Sequence, residues 1–172
     1  NLVSDDNIEE NLVKKDNVKN ILSVSKDLEI ISFDVGNADS FLIKTPDNKY
    51  FMIDTGKAPY ESGNSQAKII MLKYLKDRGI KDLEGVIVTH FDNDHCGGAV
   101  DILKKLKVEN LYVNNLNHTS NAAKSIYKMA KINNTTINLV NNEELFYTNY
   151  LEVFFHIHQK YLQLFLLRYL PL

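Results

Sequence analysis

The run from Thr89 to Gly98 constrains this chain more than any other segment, because it places two histidines and two aspartates within six residues. The preceding residues, Gly85 to Val88, are typical of a short buried strand, and Ala99 to Leu106 has the apolar spacing of an amphipathic helix. The run is therefore predicted to form a strand-to-helix loop, where rigid elements hold reactive side chains. Gly97 and Gly98 have no Cβ to block a close approach of the backbone to bound ions.

This combination of imidazoles and carboxylates is typical of a site for divalent metal ions. An ion with open coordination positions lowers the pKa of bound water from ~15.7 toward ~7, which generates hydroxide at neutral pH, and two neighbouring ions can share closely spaced ligands. A solvated Asp- and Asn-rich turn is the alternative, but it does not explain the histidines, the strand and the glycine pair together. The predicted metal ligands are His90, Asp92, Asp94 and His95.

The pattern His-x-Asp-x-Asp-His resembles the His-x-His-x-Asp-His signature of the metallo-β-lactamase superfamily, with Asp92 in place of the second histidine. Upstream, residues 33–40 (Phe-Asp-Val-Gly-Asn-Ala-Asp-Ser) and 51–56 (Phe-Met-Ile-Asp-Thr-Gly) are similar to the Asp-Val-Gly-x-Gly-Asp-Ser and Ile-Asp-Thr-Gly motifs of the ComEC/Rec2-like group. The three motifs stand in the order of that group, and the resemblance covers roughly residues 27 to 155.

The resemblance implies an α/β fold, the metallo-β-lactamase-like αββα sandwich, represented by its N-terminal half. It also implies a metal-dependent hydrolase in which activated water attacks a phosphodiester, with nucleic acid as the expected partner. His90 and Asp92 would serve one ion and Asp94 and His95 the other, with Asp94 and His95 as the most important catalytic residues. The carboxylate at position 92 extends the expected cofactor from Zn²⁺ to Mn²⁺ or Mg²⁺, with up to two ions in a complete domain.

Three further aspartates, Asp34, Asp39 and Asp54, lie in the upstream motifs. Each is either a turn carboxylate or a group that orients a metal-binding histidine from behind, and for Asp54 the resemblance favours the second role. Ala38 stands where the motif has Gly, so a positive φ there would cost on the order of 1 kcal/mol. Cys96 is predicted to be a small buried hydrophobic residue and not a ligand.

The downstream half of the site is expected to be missing from this chain. No Asp follows Asp101 and no Gly follows Gly98, so the later Gly-Asp motif that supplies a bridging carboxylate in the resembling group has no counterpart. His118 is predicted to be a surface residue of an Asn-rich loop, whereas His156 and His158 would share one face of a strand. The alternative function is therefore a truncated, non-catalytic remnant that binds metal weakly or acts as an interaction module.

Composition limits the remaining possibilities. With 172 residues, of which 44% are hydrophobic and 24% charged, the chain can bury one core. The net charge of −2 gives no general electrostatic reason to expect nucleic acid. A single Cys excludes an internal disulfide, and no segment reaches the ~20 apolar residues of a membrane span. The oligomeric state stays open, as does the choice between the bacterial cytoplasm and a secreted or cell-surface location.

Three regions are predicted along the chain: a linker or disordered segment at residues 1–26, the partial domain at 27–155, and an atypical apolar tail at 156–172. The tail is interpreted as the product of truncation or a changed reading frame, with a buried terminal helix as the alternative. A helix over 65–78 should bury Ile69, Ile70, Leu72 and Leu75 and end at Gly79. The other predicted elements are strands at 29–33, 40–44, 49–53, 110–113, 136–140 and 150–155 and a helix near 120–131.

Overall fold

The computed structural model describes residues 27–59 and 63–140, together with the backbone of three strands at 145–147, 151–158 and 161–169. The predicted linker at residues 1–26 lies outside the described residues. Within the part that is described, no helix is both long enough and apolar enough to cross a membrane.

The core of the structure is a six-stranded mixed sheet in which the strands follow one another in chain order. The first two pairings are antiparallel and the last three are parallel, so helices must connect the later strands. The strands are β1 (Glu29–Ser32), β2 (Phe41–Lys44), β3 (Tyr50–Ile53), β4 (Asp82–Val88), β5 (Lys107–Val113) and β6 (Thr136–Leu139).

Helices connect the parallel strands and share one apolar core with the sheet. A π-helical turn (Ala67–Met71) continues into α1 (Leu72–Asp77), and α2 (Asn93–Cys96), α3 (Ala99–Lys105) and α4 (Asn121–Ile132) follow. One row of paired strand residues is fully buried beneath the helices, and it consists of Leu42, Met52, Val86 and Leu111. This row packs in the same cluster as helix residues such as Leu75 and Ile102.

The opposite face of the sheet is also apolar. It carries a second buried cluster, which consists of Ile43, Phe51, Ile53, Ile87 and Val140. A Cβ on Gly85 would lie 2.9 Å from the Tyr112 ring and 3.1 Å from the Phe51 ring, so this central position requires glycine. Burial on both faces is typical of a sheet inside an α/β fold. The predicted α/β class is confirmed.

The helix predicted over residues 65–78 is present, but its buried face differs from the prediction. The buried residues are Ala67, Met71 and Leu75, whereas Ile69 is 57% exposed. The π-helical turn holds more residues than an α-helical turn, which rotates the side chains before α1 relative to those after it. The predicted burial of Ile69 is therefore wrong. The predicted stop at Gly79 is confirmed, because Gly79 has φ = +69° and donates its N–H to the Lys76 carbonyl.

The C-terminal region forms strands and not the terminal helix that was the alternative interpretation. The strands β7 (Leu145–Tyr147), β8 (Leu151–His158) and β9 (Tyr161–Tyr169) form a three-stranded antiparallel sheet. The prediction of a terminal helix is wrong because a continuous apolar run fits a strand as well as a helix, and Tyr, Phe and Leu are common in both. The predicted boundary at residue 156 falls within β8.

Candidate functional site

Three loops meet at one edge of the sheet, at the carboxyl ends of β1, β3 and β4. The loop of residues 33–40 follows β1, the loop of residues 54–58 follows β3, and the loop of residues 89–98 follows β4 and contains α2. Since β3 and β4 are parallel, their carboxyl ends lie side by side. This is the edge at which open α/β sheets usually bind ligands.

Backbone hydrogen bonds tie these loops together. The bonds run from Thr55 N–H to the His95 carbonyl (2.7 Å), from Ala58 N–H to the Asn93 carbonyl (3.2 Å), from Gly56 N–H to the Asp39 carbonyl (2.9 Å) and from Asp39 N–H to the Asp94 carbonyl (3.2 Å). Because the donors and acceptors are backbone groups, the bonds fix the path of each loop whatever the side chains do. The candidate ligands therefore sit on a rigid base.

The glycine pair allows a close contact between two loops. A Cβ on Gly97 would lie 1.9 Å from the Ala58 nitrogen, and a Cβ on Gly98 would lie 2.2 Å from the Ala67 Cβ and 2.4 Å from the Thr55 carbonyl oxygen. The two glycines thus allow the loop after β3 to pack against the loop after β4, a role that the sequence did not predict. That they also leave room for ions stays a prediction.

Asp54 lies at the centre of the site. It is buried and has φ = +54°, an uncommon left-handed conformation that Asp tolerates better than most residues. Its Oδ1 accepts a hydrogen bond from Thr89 N–H (2.9 Å), and its Oδ2 accepts from the Thr89 hydroxyl (2.6 Å) and from His95 Nδ1 (2.8 Å). The carboxylate therefore holds the His95 ring by its inner nitrogen.

The two imidazoles of the motif lie side by side. The ring centroids of His90 and His95 are 3.8 Å apart, and the planes are tilted by 45°. His90 Nδ1 lies 3.1 Å from the Thr89 hydroxyl, whereas its Nε2 lies 3.4 Å from Asp92 Oδ2. The Nε2 atom of His95 lies 3.9 Å from Asp94 Oδ2. Both rings thus direct Nδ1 toward the interior and Nε2 toward a carboxylate of the motif.

The protein shifts the pKa values of His90 and His95 in opposite directions. Burial, followed by the neighbouring charge of His95, lowers the pKa of His90. The hydrogen bond to Asp54 raises the pKa of His95, against a smaller opposing effect of burial. His90 therefore favours the neutral form, in which an imidazole nitrogen can bind a metal ion, and His95 holds its proton to a higher pH.

The donor set fits a divalent ion in its chemistry, because imidazole and carboxylate are the ligands of zinc and manganese sites. Among the residues that the structure describes, however, no group of three or more His, Cys, Asp or Glu side chains is arranged to hold a metal ion. The side chains of Asp92 and Asp94 are 66% and 44% exposed, so both carboxylates face water in this structure.

The other acidic residues of the upstream motifs lie nearer the surface. Asp34 is exposed, and its Oδ1 accepts the Gly36 N–H at 3.4 Å within its own loop. Asp39 is also exposed, but its Oδ2 lies 3.6 Å from His95 Nδ1. Ala38 is not among the described residues with positive φ, so the strain considered for it is absent. The positive φ of this loop falls on Gly36 instead, at +64°.

Cys96 and His118 were assigned structural roles from the sequence. Cys96 is buried as predicted, and burial raises the pKa of its thiol to about 12. His118 is partly exposed in its loop and packs against the Phe91 ring, with centroids 4.8 Å apart. Its Nδ1 lies 3.0 Å from the hydroxyl of Ser120, which caps α4. His156 and His158 lie on β8, where the structure describes the backbone.

Sequence reasoning missed Thr89, whose side chain contacts both Asp54 and His90. The only signal was a hydroxyl residue directly before the first histidine of the motif. A cavity of about 370 Å³ lies elsewhere, at the amino ends of β4 and β5, and its lining includes Leu72, Ile80 and Leu106. It shares no residue with the three loops and does not form the site.

Comparison with known proteins places this site in a family. The sequence profile described as Metallo-beta-lactamase superfamily matches residues 33–135, which include all three motifs. ComE operon protein 3 of Bacillus subtilis is 31% identical over 100 residues, covering 52% of this chain and 13% of that protein. Recombination protein 2 of Haemophilus influenzae is 41% identical over 76 residues, covering 44% of this chain and 9% of that protein.

The chain thus spans a small part of the length of these curated relatives. A solved archaeal metallo-beta-lactamase superfamily protein from Sulfolobus tokodaii is 18% identical, with a TM-score of 0.49, and the match covers 74% of this chain and 54% of that one. The profile covers more than half of the chain, and the relatives confirm the predicted resemblance to the ComEC/Rec2-like group. The chain belongs to the metallo-β-lactamase superfamily.

Proposed function

We propose that this chain is part of a metal-dependent hydrolase and supplies His90, Asp92, Asp94 and His95 as ligands of a divalent metal centre. One observation carries the proposal: both imidazoles are held through Nδ1 by interior groups and turn Nε2 toward the motif carboxylates. Interior partners that orient a metal-binding histidine in this way are usual in metal sites. Membership of the superfamily supports the same assignment.

When bound, a Zn²⁺ or Mn²⁺ ion supplies an activated water at neutral pH and a positive charge for the developing oxyanion. Each protein residue contributes a separate part. Asp54 orients His95, and the lowered pKa of His90 keeps that ring neutral near pH 7. The raised pKa of His95 increases the protonated fraction of that ring, and this fraction must lose a proton before Nε2 can act as a ligand, so binding should release protons. Asp92 and Asp94 must turn inward from their exposed positions.

The proposed substrate class is a phosphodiester, with nucleic acid first. One relative is named Recombination protein 2, and recombination is a process that acts on nucleic acid. The net charge of −2 shows no general attraction to phosphates, so substrate binding would depend on local contacts and on the metal.

Metal content is the direct test of the proposal. The chain should retain a divalent ion after mild dialysis, and the double variant His90→Ala with Asp94→Ala should lose it, because two of the four ligands disappear. Asp82→Ala removes an exposed carboxylate at the opposite end of β4 and serves as the control. Equal metal content in the double variant and the control, measured by elemental analysis, would refute the assignment.

A second candidate function is a non-catalytic, metal-binding or interaction module. It is favoured by the exposed positions of Asp92 and Asp94, which must turn inward before they can hold an ion. Hydrolysis of an aryl phosphodiester and of single-stranded DNA, assayed with Mn²⁺, Mg²⁺ and Zn²⁺ in turn, separates the two candidates. Turnover that disappears in Asp94→Ala supports the hydrolase. Metal binding without turnover supports the module.

A further inference from the structure

The Thr89 hydroxyl lies between a carboxylate and two imidazoles. Its Oγ1 is 2.6 Å from Asp54 Oδ2, 3.1 Å from His90 Nδ1 and 3.5 Å from His95 Nδ1. Thr89 is buried, and its backbone N–H donates to the other oxygen of the same carboxylate at 2.9 Å. Its carbonyl accepts from the Asn114 amide at 3.1 Å. Threonine is therefore fixed on both sides of its backbone, and its hydroxyl has little freedom to move.

A hydroxyl has one hydrogen to donate, and this decides the direction of its contacts. A carboxylate only accepts, and two acceptor oxygens at 2.6 Å repel unless a hydrogen lies between them. The Thr89 hydrogen must therefore point to Asp54. His95 Nδ1 donates to Asp54 at 2.8 Å, so the contact between Thr89 and His90 is attractive only if His90 Nδ1 carries a hydrogen and donates it to Oγ1. The other nitrogen, His90 Nε2, lies 3.4 Å from Asp92 Oδ2, which is a longer contact to a 66% exposed side chain that water also solvates.

We propose that Thr89 is a positioning residue that fixes His90 in the Nδ1–H tautomer, so that the lone pair resides on Nε2, on the side of Asp92. The inference rests on the proposed function for its purpose, because a metal ligand must present a lone pair. Asp54 accepts from His95 Nδ1 through the same Oδ2, so one carboxylate orients one histidine directly and the other through the hydroxyl.

The tautomer can be measured in the metal-free chain by long-range ¹H–¹⁵N correlation spectroscopy, which distinguishes a protonated from an unprotonated ring nitrogen. At about pH 8 His90 is neutral, because burial lowers its pKa. Its signals among those of the five histidines are identified by their loss in His90→Gln. A protonated Nδ1 and an unprotonated Nε2 are expected. A predominant Nε2–H form in the unaltered chain would overturn the inference without any further variant.

Two variants test the hydroxyl itself. Thr89→Val keeps the shape and removes the hydroxyl, so His90 should shift toward the Nε2–H form, whereas Thr89→Ser should keep the Nδ1–H form. A purely structural role would not produce this pattern. Metal affinity should fall by about 10- to 100-fold in Thr89→Val and little in Thr89→Ser. An unchanged tautomer in a folded Thr89→Val chain would refute the inference.

The two proposals can fail separately. A chain that binds no metal but shows the Nδ1–H form would refute the proposed function and support the role of Thr89. A chain that binds metal while His90 is in the Nε2–H form would support the proposed function and refute the role of Thr89.

Discussion

Replacing Gly97 by alanine should destabilise the fold, against the expectation from local conformation. Gly97 has φ = −61° and ψ = −27°, an ordinary helical geometry in which alanine is usually more stable than glycine by about 1 kcal/mol. The added Cβ, however, would lie 1.9 Å from the Ala58 nitrogen and 2.4 Å from the Asn93 carbonyl oxygen. The contact must therefore open by about 1.5 Å to reach ordinary van der Waals distance.

The expected loss of stability follows from the hydrogen bonds that this movement disturbs. The hydrogen bond from Ala58 N–H to the Asn93 carbonyl must lengthen, and the bond from Thr55 N–H to the His95 carbonyl is strained with it. Each is worth about 1 kcal/mol, and overpacking adds about 1 to 3 kcal/mol. After the about 1 kcal/mol that alanine gains at a helical position is subtracted, the free energy of unfolding should fall by roughly 2 to 4 kcal/mol, a large share of the about 5 to 15 kcal/mol that stabilises a typical domain.

Urea denaturation followed by far-ultraviolet circular dichroism measures this effect. Gly79→Ala is the matched control, because Gly79 has φ = +69° but no atom within 4 Å of an added Cβ. In this control, backbone strain alone should lower the free energy of unfolding by about 1 to 2 kcal/mol. If Gly97→Ala is as stable as the unaltered chain or more stable, the packing between the two loops does not require glycine and the reasoning is wrong.

Three further outcomes are expected. Without metal, the contribution of His95 to stability is present below pH 6.5 and is lost as the pH rises through the raised pKa of His95. The contribution of His90 is present above pH 6.5 and is lost as the pH falls toward the lowered pKa of His90. These two groups together should make the urea midpoint highest near pH 6.5. Asp54→Asn should reduce the fall of the midpoint above pH 6.5, and an unchanged fall in this variant would contradict the role of Asp54. Cys96, with a pKa of about 12, should resist iodoacetamide at about pH 8 until urea unfolds the chain, and rapid native labelling would show that the thiol is accessible. Ser120→Ala should lower the free energy of unfolding by about 1 kcal/mol and Ser120→Asp should not, as urea titration would show; equal losses would exclude a capping role.

Local sequence patterns predicted most of the elements around the site. The alternation of strand and helix patterns from residue 27 to residue 140 is repeated in the structure, and the stop of α1 at Gly79 was predicted from one residue type. These predictions succeed because the period of apolar residues reports which face of an element is buried. The spacing of the histidines and aspartates predicted a site on the loop after β4, and its assignment to metal remains a proposal.

The contacts between loops depended on tertiary structure. Thr89 and Asp54 are 35 positions apart, so no local pattern could show that a buried carboxylate receives both the hydroxyl and the amide of Thr89. The need for glycine at position 97 likewise comes from the backbone at Ala58, and the exposure of Ile69 comes from a π-helical turn. Sequence alone determined which chemical groups are available and on which elements they lie. The tertiary structure decided which nitrogen of each histidine faces the interior, because that choice depends on partners brought together only by folding.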